Sequence, residues 1–267
     1  GGESERMLGR FISGRRDDFV ITSKCGFRLG ERELNSRGLS RRVIHQAIEG
    51  TLERMGTDYL DVYFAHCYDG SLPLEEFLRA MDDLVTAGKI RHYGVSNWSA
   101  WQIAKGLGIA ERRGWNRIAC IQPMYNLVKR QAEVEILPLA QEERLGVISY
   151  SPLGGGVLTG KHRFDARAEN SRLNDHGMYK RRYGQESMFE TAQKVTERAE
   201  AMGVSPVTLA VAWAGRHPGI TAPIIGARSV EQLEPALAAA TFEMDDALYE
   251  ELTAFSEAPP SPTDRSE

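Results

Sequence analysis

Six short apolar runs in this chain each end on a residue able to do chemistry or hold a ligand. Phe19–Lys24 ends on Ser23-Lys24, and Leu60–His66 ends on His66. Ile90–Ser96 leads into Ser96-Asn97, Ile118–Gln122 ends on Gln122, and Val147–Ser151 ends on Tyr150-Ser151. Ile220–Ile225 is followed by Gly226 and Arg228. Taken singly, each is readily explained as a polar cap where a strand meets water. A lone lysine snorkels to solvent, and a lone histidine is often a satisfied core residue. Six in the same structural position point to one site ringed by every strand, because parallel α/β proteins place their chemistry at the carboxyl ends of strands. A lysine paired with a histidine suits carbonyl chemistry, the cation favouring loss of a proton from a neighbouring acid and a neutral imidazole polarising a C=O.

The run Leu153-Gly154-Gly155-Gly156-Val157-Leu158-Thr159-Gly160-Lys161 nearly spells a nucleotide-binding loop. His162 stands where the magnesium-binding Ser or Thr belongs, so an NTPase is excluded. The same glycines suit a flexible turn that needs positive φ. They also suit a phosphate cradle of backbone amides, with Lys161 adding charge. No H-E-x-x-H, G-x-S-x-G or strand-following G-x-G-x-x-G occurs, which removes support for zinc proteases, α/β-hydrolases and Rossmann enzymes. Lys180-Arg181-Arg182 reads as a solvated basic patch.

The elements that must position these residues follow from periodicity. Between the apolar runs lie helical patterns: Ile44 to Met55 behind a cap at Ser40, and Leu74–Ala87 stopped at Gly88. Ser99 with Gln102 and Ser229 with Gln232 read as capping boxes, and Ser205-Pro206 as a helix start. Such alternation builds a parallel sheet. Six strand–helix units suffice for a doubly wound sheet, whereas a (β/α)8 barrel needs two more. The polar segment His162–Ser187 is too long for an ordinary connection and reads as either a disordered loop or a functional excursion, the latter placed to close over a ligand beside Lys161. The stretch after Phe255 carries Pro259, Pro260 and Pro262 and should be disordered over residues 256–267.

Composition narrows the classes further. With 33 basic and 37 acidic residues among 267, the net charge of -4 gives no reason to expect nucleic acid as partner. No apolar run reaches the roughly 18 residues a membrane span needs. Cys25, Cys67 and Cys120 lie far apart with no C-x-x-C, which argues against a disulfide framework or a zinc site and suits the cytoplasm.

Taken together, these residues resemble the aldo-keto reductase family from Gly1 to about residue 255. The resemblance is carried by Gly2-Glu3-Ser4-Glu5, Thr22-Ser23-Lys24, Gly56-Thr57-Asp58-Tyr59-Leu60-Asp61, Phe64-Ala65-His66 and Gly88-Lys89-Ile90-Arg91. It continues through Gly94-Val95-Ser96-Asn97, Tyr150-Ser151-Pro152-Leu153 and Ile225-Gly226-Ala227-Arg228-Ser229. The branch it is similar to includes bacterial reductases and potassium-channel β-subunits. The resemblance implies a (β/α)8 barrel over residues 1–255 that reduces aldehydes and ketones with NADP(H), through a tetrad of Asp, Tyr, Lys and His. Lys24 and His66 match two members. The family's Tyr and Asp would precede Gly1, so the resemblance implies a barrel short of its first two strand–helix units, inactive as residues 1–267 alone. It assigns Ser96, Asn97 and Gln122 to the nicotinamide carboxamide and Tyr150 to stacking on the ring. Ser151, Pro152, Leu153, Gly155 and Lys161 would line the pyrophosphate, and Gly226, Arg228 and Gln232 the adenosine end. Pro235-Ala236 departs from the Glu-Asn that relatives often place at the adenine. Asp58 and Asp61 read as structural. The alternative is a non-catalytic nucleotide-binding regulator of the same fold. Channel β-subunits carry asparagine at the position of His66, which favours the enzyme.

Overall fold

The structure, a computed structural model, describes residues 1–27, 36–162 and 177–263. The chain forms two compact units, Gly1–Gln122 and Pro123–Glu267.

In the first unit the helices are α1 (Glu3–Ile12), α2 (Arg41–Met55), α3 (Leu74–Thr86) and α4 (Ala100–Arg113). The strands are β1 (Thr22–Cys25), β2 (Leu60–Ala65), β3 (Ile90–Ser96) and β4 (Cys120–Gln122), parallel and side by side in chain order. Side chains alternate across a strand, so register decides which of them meet. Cys25 pairs with Ala65, Ala65 with Val95, and Val95 with Ile121. All four are small or β-branched, and all four are buried. The opposite face carries Lys24, Phe64, Gly94 and Cys120 in register. Helices α2, α3 and α4 form where the sequence predicts them, whereas α1 is not among the predicted helices. Ser40 Oγ accepts from the Val43 amide at 3.5 Å, and Ile44, Ile48, Leu52 and Met55 form the buried stripe of α2. The capping box of α4 is present, Gln102 Oε1 accepting from the Ser99 amide at 2.9 Å.

β1 begins at Thr22, not Phe19, because Asp61 intervenes. Its carboxylate accepts from the Ile21 amide and from Arg16 Nη2, each at 2.7 Å, and so replaces a ladder partner with a side chain. Asp61 is therefore structural, as read from sequence. Helix α1 carries Glu5, whose carboxylate accepts from Ser23, Thr51 and Arg54 and so ties α1 to β1 and α2.

In the second unit α5 (Ile136–Glu142) precedes β5 (Gly146–Ser149), and a glycine-rich turn spans Gly154–Thr159. Then come α6 (Gly177–Tyr183), α7 (Glu186–Met202), α8 (Pro206–Arg216), β6 (Ala222–Pro223), α9 (Val230–Ala238) and α10 (Asp246–Thr253). β5 and β6 are parallel, Ile148 pairing with Ala222. The core is built on Trp213, stacked between Tyr125 and Tyr249 at 5.1 and 5.8 Å. Arg130 grips Glu133 with two bonds of 2.9 and 2.8 Å, and its Nη1 reaches the Thr253 carbonyl and Ser256 Oγ.

Several expectations are corrected here. β5 stops at Ser149 because Ser151 adopts φ 59, a conformation no strand continues through. β6 is cut short at Pro223, which has no amide to donate. β4 starts at Cys120 instead of Ile118. Ser229 makes no side-chain cap, and Gln232 Oε1 accepts instead from the Arg228 amide at 3.2 Å. The excursion predicted over His162–Ser187 ends early, since α6 and the start of α7 lie within it. Residues 163–176, on which the expected closure falls, lie outside the described residues. The basic patch is not uniformly solvated: Lys180 and Arg181 are exposed, and Arg182 is half-buried.

Candidate active site

β1 and β2 end at one level, because the His66 amide donates to the Cys25 carbonyl at 2.9 Å and extends their pairing by one step. Lys24 is in register with Phe64, so Lys24 and His66, two residues past Phe64, emerge from the same face at the same end. One step across the sheet, Ser96 pairs with Gln122 on that same face. Below this row Phe64 pairs with Gly94, and a Cβ at position 94 would lie 2.4 Å from Phe64 Cε1 and 2.5 Å from the Cys120 carbonyl oxygen. Glycine at 94 is what lets the Phe64 ring lie across β3. That ring is the floor of the site, with Lys24 Nζ 6.0 Å from its centroid.

Burial holds the Lys24 ammonium below the ordinary lysine value. Burial lowers His66 as well, and the nearby Lys24 charge lowers it further, so the imidazole is neutral at pH 7. The Phe27 ring meets His66 edge-on at 4.4 Å. A cavity of about 660 Å³ opens on the α1–α2 side of β1, lined by Lys24, Phe27, Arg6, Arg42, Gln46 and Arg54, and His66, Ser96 and Gln122 are not part of its lining.

Asn97, at φ 60, turns the chain out of β3 and donates from Nδ2 to the His66 carbonyl at 3.3 Å and to Ser96 Oγ at 3.0 Å. Ser96 Oγ donates in turn to the Gln122 carbonyl at 2.9 Å. Gln122 is buried, and its Nε2 has no partner among the described residues. An unpaired buried amide is costly, and it fits a ligand carbonyl arriving from the open end of the strand. A carboxamide meets that need.

In the second unit, Tyr150 is fixed by its amide, which donates to the Pro123 carbonyl at 2.9 Å. Asn126 Nδ2 donates to the Ser151 carbonyl at 2.9 Å and holds the left-handed turn that leads into Pro152, Leu153 and the glycines. Gly154, Gly155 and Gly156 have φ 57, 66 and 109. Lys161 is exposed just beyond them. Gly226, Arg228 and Gln232 lie at the exposed start of α9, where an added Cβ at Gly226 would meet nothing.

The first unit thus brings together Lys24, His66, Ser96, Asn97 and Gln122, and the second presents the remaining predicted residues in two groups. Sequence reasoning missed the aromatic cluster beside the first group: Phe27, and Tyr68 edge-on to Trp98 at 5.0 Å and to Trp101 at 6.2 Å. Phe27 and Trp101 are 55% and 60% exposed, large rings left open beside the polar strand ends. Among the described residues no group of three metal-ligating side chains occurs, and no helix is long and apolar enough to cross a membrane.

Parallel strands alternating with helices, with a lysine and a neutral histidine at one strand end, make an α/β protein whose first unit carries side chains suited to carbonyl chemistry. The chain belongs to the Aldo/keto reductase family, whose profile it matches over residues 1–257, and that family's fold is the (β/α)8 barrel. It is 36% identical to the "Putative voltage-gated potassium channel subunit beta" of Schizosaccharomyces pombe, over 90% of this chain and 72% of that protein. It is 34% identical to a "Putative aryl-alcohol dehydrogenase" of the same yeast, over 92% of this chain and 75% of the relative. The "Versiconal hemiacetal acetate reductase" of Aspergillus parasiticus is 31% identical, over 89% and 74%. The chain carries the general reductase role of this family.

Proposed function

We propose that the protein is a cytoplasmic NADP(H)-dependent reductase of small aldehydes and ketones. The carrying observation is the pairing of Lys24 with a neutral His66 at one strand end, on a floor closed by Phe64. When bound, the nicotinamide cofactor supplies the hydride. Ser96, Asn97 and Gln122 would hold its carboxamide, the orphaned Gln122 Nε2 donating to the carbonyl oxygen. Neutral His66 would donate to the substrate carbonyl and orient it. The Lys24 ammonium would favour release of the proton from the tyrosine that acts as acid in this family. Tyr150 would stack on the nicotinamide, and Ser151, Pro152, Leu153, Gly155 and Lys161 would line the pyrophosphate. Gly226 and Gln232 would take the adenosine end, with exposed Arg228 suited to a 2′-phosphate. Three unpaired cysteines agree with a reducing compartment. The aromatic cluster and the name of the aryl-alcohol relative favour aromatic carbonyls.

The test is NADPH oxidation with a panel of aromatic aldehydes, alongside nucleotide titration, on the purified protein. Turnover is expected, with NADPH bound more tightly than NADH and Arg228→Ala removing most of that difference. Tight nucleotide binding without turnover would instead support a second reading, a nucleotide-holding regulator, which the channel-subunit relative favours.

A further inference from the structure

Three consecutive basic residues, Lys180-Arg181-Arg182, sit on α6, and only Arg182 is drawn in from solvent. The reason lies in how α6 is seated. Tyr179 and Tyr183, four residues apart and so on one helix face, both press on Gly155. A Cβ there would lie 2.7 Å from Tyr179 Cδ1 and 3.0 Å from Tyr183 Cδ2. Tyr183 is fully buried and donates to Met124 Sδ at 3.2 Å, so the helix is anchored on the glycine-rich turn. Arg182, three residues after Tyr179, lies toward the same side. Its charge reaches the phenols of Tyr150 and Tyr183, where it opposes the effect of burial.

Two further facts bear on what Arg182 does. It makes no ion pair with a carboxylate among the described residues. A half-buried guanidinium has given up part of its hydration and gains most from an anion that accepts its fork of donors. The turn, for its part, is short of donors. The Gly154 amide is spent on the Ser151 carbonyl and the Gly156 amide on the Leu153 carbonyl, each at 2.9 Å. Two of its three glycine amides are thus unavailable to a phosphate.

We propose that Arg182 is a binding residue for the pyrophosphate of the dinucleotide, carried to the glycine-rich turn by the Tyr179 and Tyr183 anchor. This rests on the reading that the turn holds a dinucleotide. It adds a donor from a helix that lies after the turn in sequence.

The test is fluorescence titration of NADPH, NADH, ADP-ribose and adenosine 2′-monophosphate on the wild type, Arg182→Gln and Arg182→Lys. Loss of a charge-assisted pair should weaken NADPH, NADH and ADP-ribose alike by about tenfold or more. Adenosine 2′-monophosphate, which lacks the pyrophosphate, should bind as before, and Arg182→Lys should recover part of the loss. Weakening of NADPH alone would move Arg182 to the 2′-phosphate and overturn the assignment. Equal affinities in all three proteins would overturn it while leaving the proposed function standing. A wild type that binds none of the dinucleotides would overturn both. Should Arg182→Gln fail to fold, Arg182→Lys decides, because its charge is kept while the bidentate fork is lost: undiminished NADH affinity would refute the role.

Discussion

Lys24 and His66 are each held away from their usual protonation equilibrium by burial, and each gives up stability for position. A partly buried ammonium with no carboxylate partner among the described residues costs folding energy for as long as it stays charged. Lys24→Met should therefore leave the thermal midpoint unchanged or slightly raised, while aldehyde reduction falls by roughly 10²- to 10⁴-fold. A midpoint several degrees lower would mean that a partner stabilises the Lys24 charge, and the cost argued here would be wrong. Both residues were legible because each closes an apolar run. Phe27, Tyr68 and Trp101 were not, since they come from separate connections and a helix start with no shared spacing. Arg182 was read as one of three solvated charges, and only the seating of its helix separates it from Lys180 and Arg181.

Among the elements, β3 is the one on which the site depends most directly. It was readable to the residue, its bounds coinciding with the predicted Ile90–Ser96. Its glycine is required by the Phe64 ring and the Cys120 carbonyl, contacts that no local pattern announces. Gly94→Ala should cost about 1–3 kcal/mol, measured as a shift in denaturant midpoint at constant slope. Adding Phe64→Leu should return part of the loss by freeing the space the ring occupies. A neutral Gly94→Ala would show that the ring can move, and the floor would not be fixed. Three of the strands that sequence placed too long are cut by a local feature: the Asp61 side chain delays the start of β1, the Ser151 dihedral ends β5, and Pro223 ends β6. Helix α1 escaped notice because Gly2–Glu5 was read as motif, and its hold on the fold is one carboxylate, that of Glu5, whose donors come from two other segments, β1 and α2.

At the scale of the whole molecule, both units carry a histidine whose protonation folding opposes. Burial lowers His66 in the first unit and His217 in the second, where Arg130 adds to the effect and Glu133 opposes it. Each folded value lies below the ordinary 6.5, so between the two values the unfolded chain binds more protons. Stability is therefore full above about pH 6.5 and declines as pH falls through the window down to the folded values. Asp69 is depressed by hydrogen bonds from Ser71 and the Leu39 amide despite its burial, and it adds a further loss only near its ordinary 3.8. Thermal midpoints should be level from pH 8 to 7 and drop by a few degrees toward pH 5, with His217→Gln flattening the fall. A level profile down to pH 5 would refute the linkage.

The Phe64 floor has a consequence for how the mouth discriminates among visitors. An ammonium seated over an aromatic ring can keep its water only on the side away from the ring. Whatever covers that side strips the last hydration from Lys24 and must then supply the missing electron density itself. A saturated hydrocarbon of the right shape leaves the cation stranded, and an oxygen with spare lone pairs settles it. On the proposed reading of this strand end, a hydrophobic ring rather than a polar contact would set part of its preference for oxygen ligands.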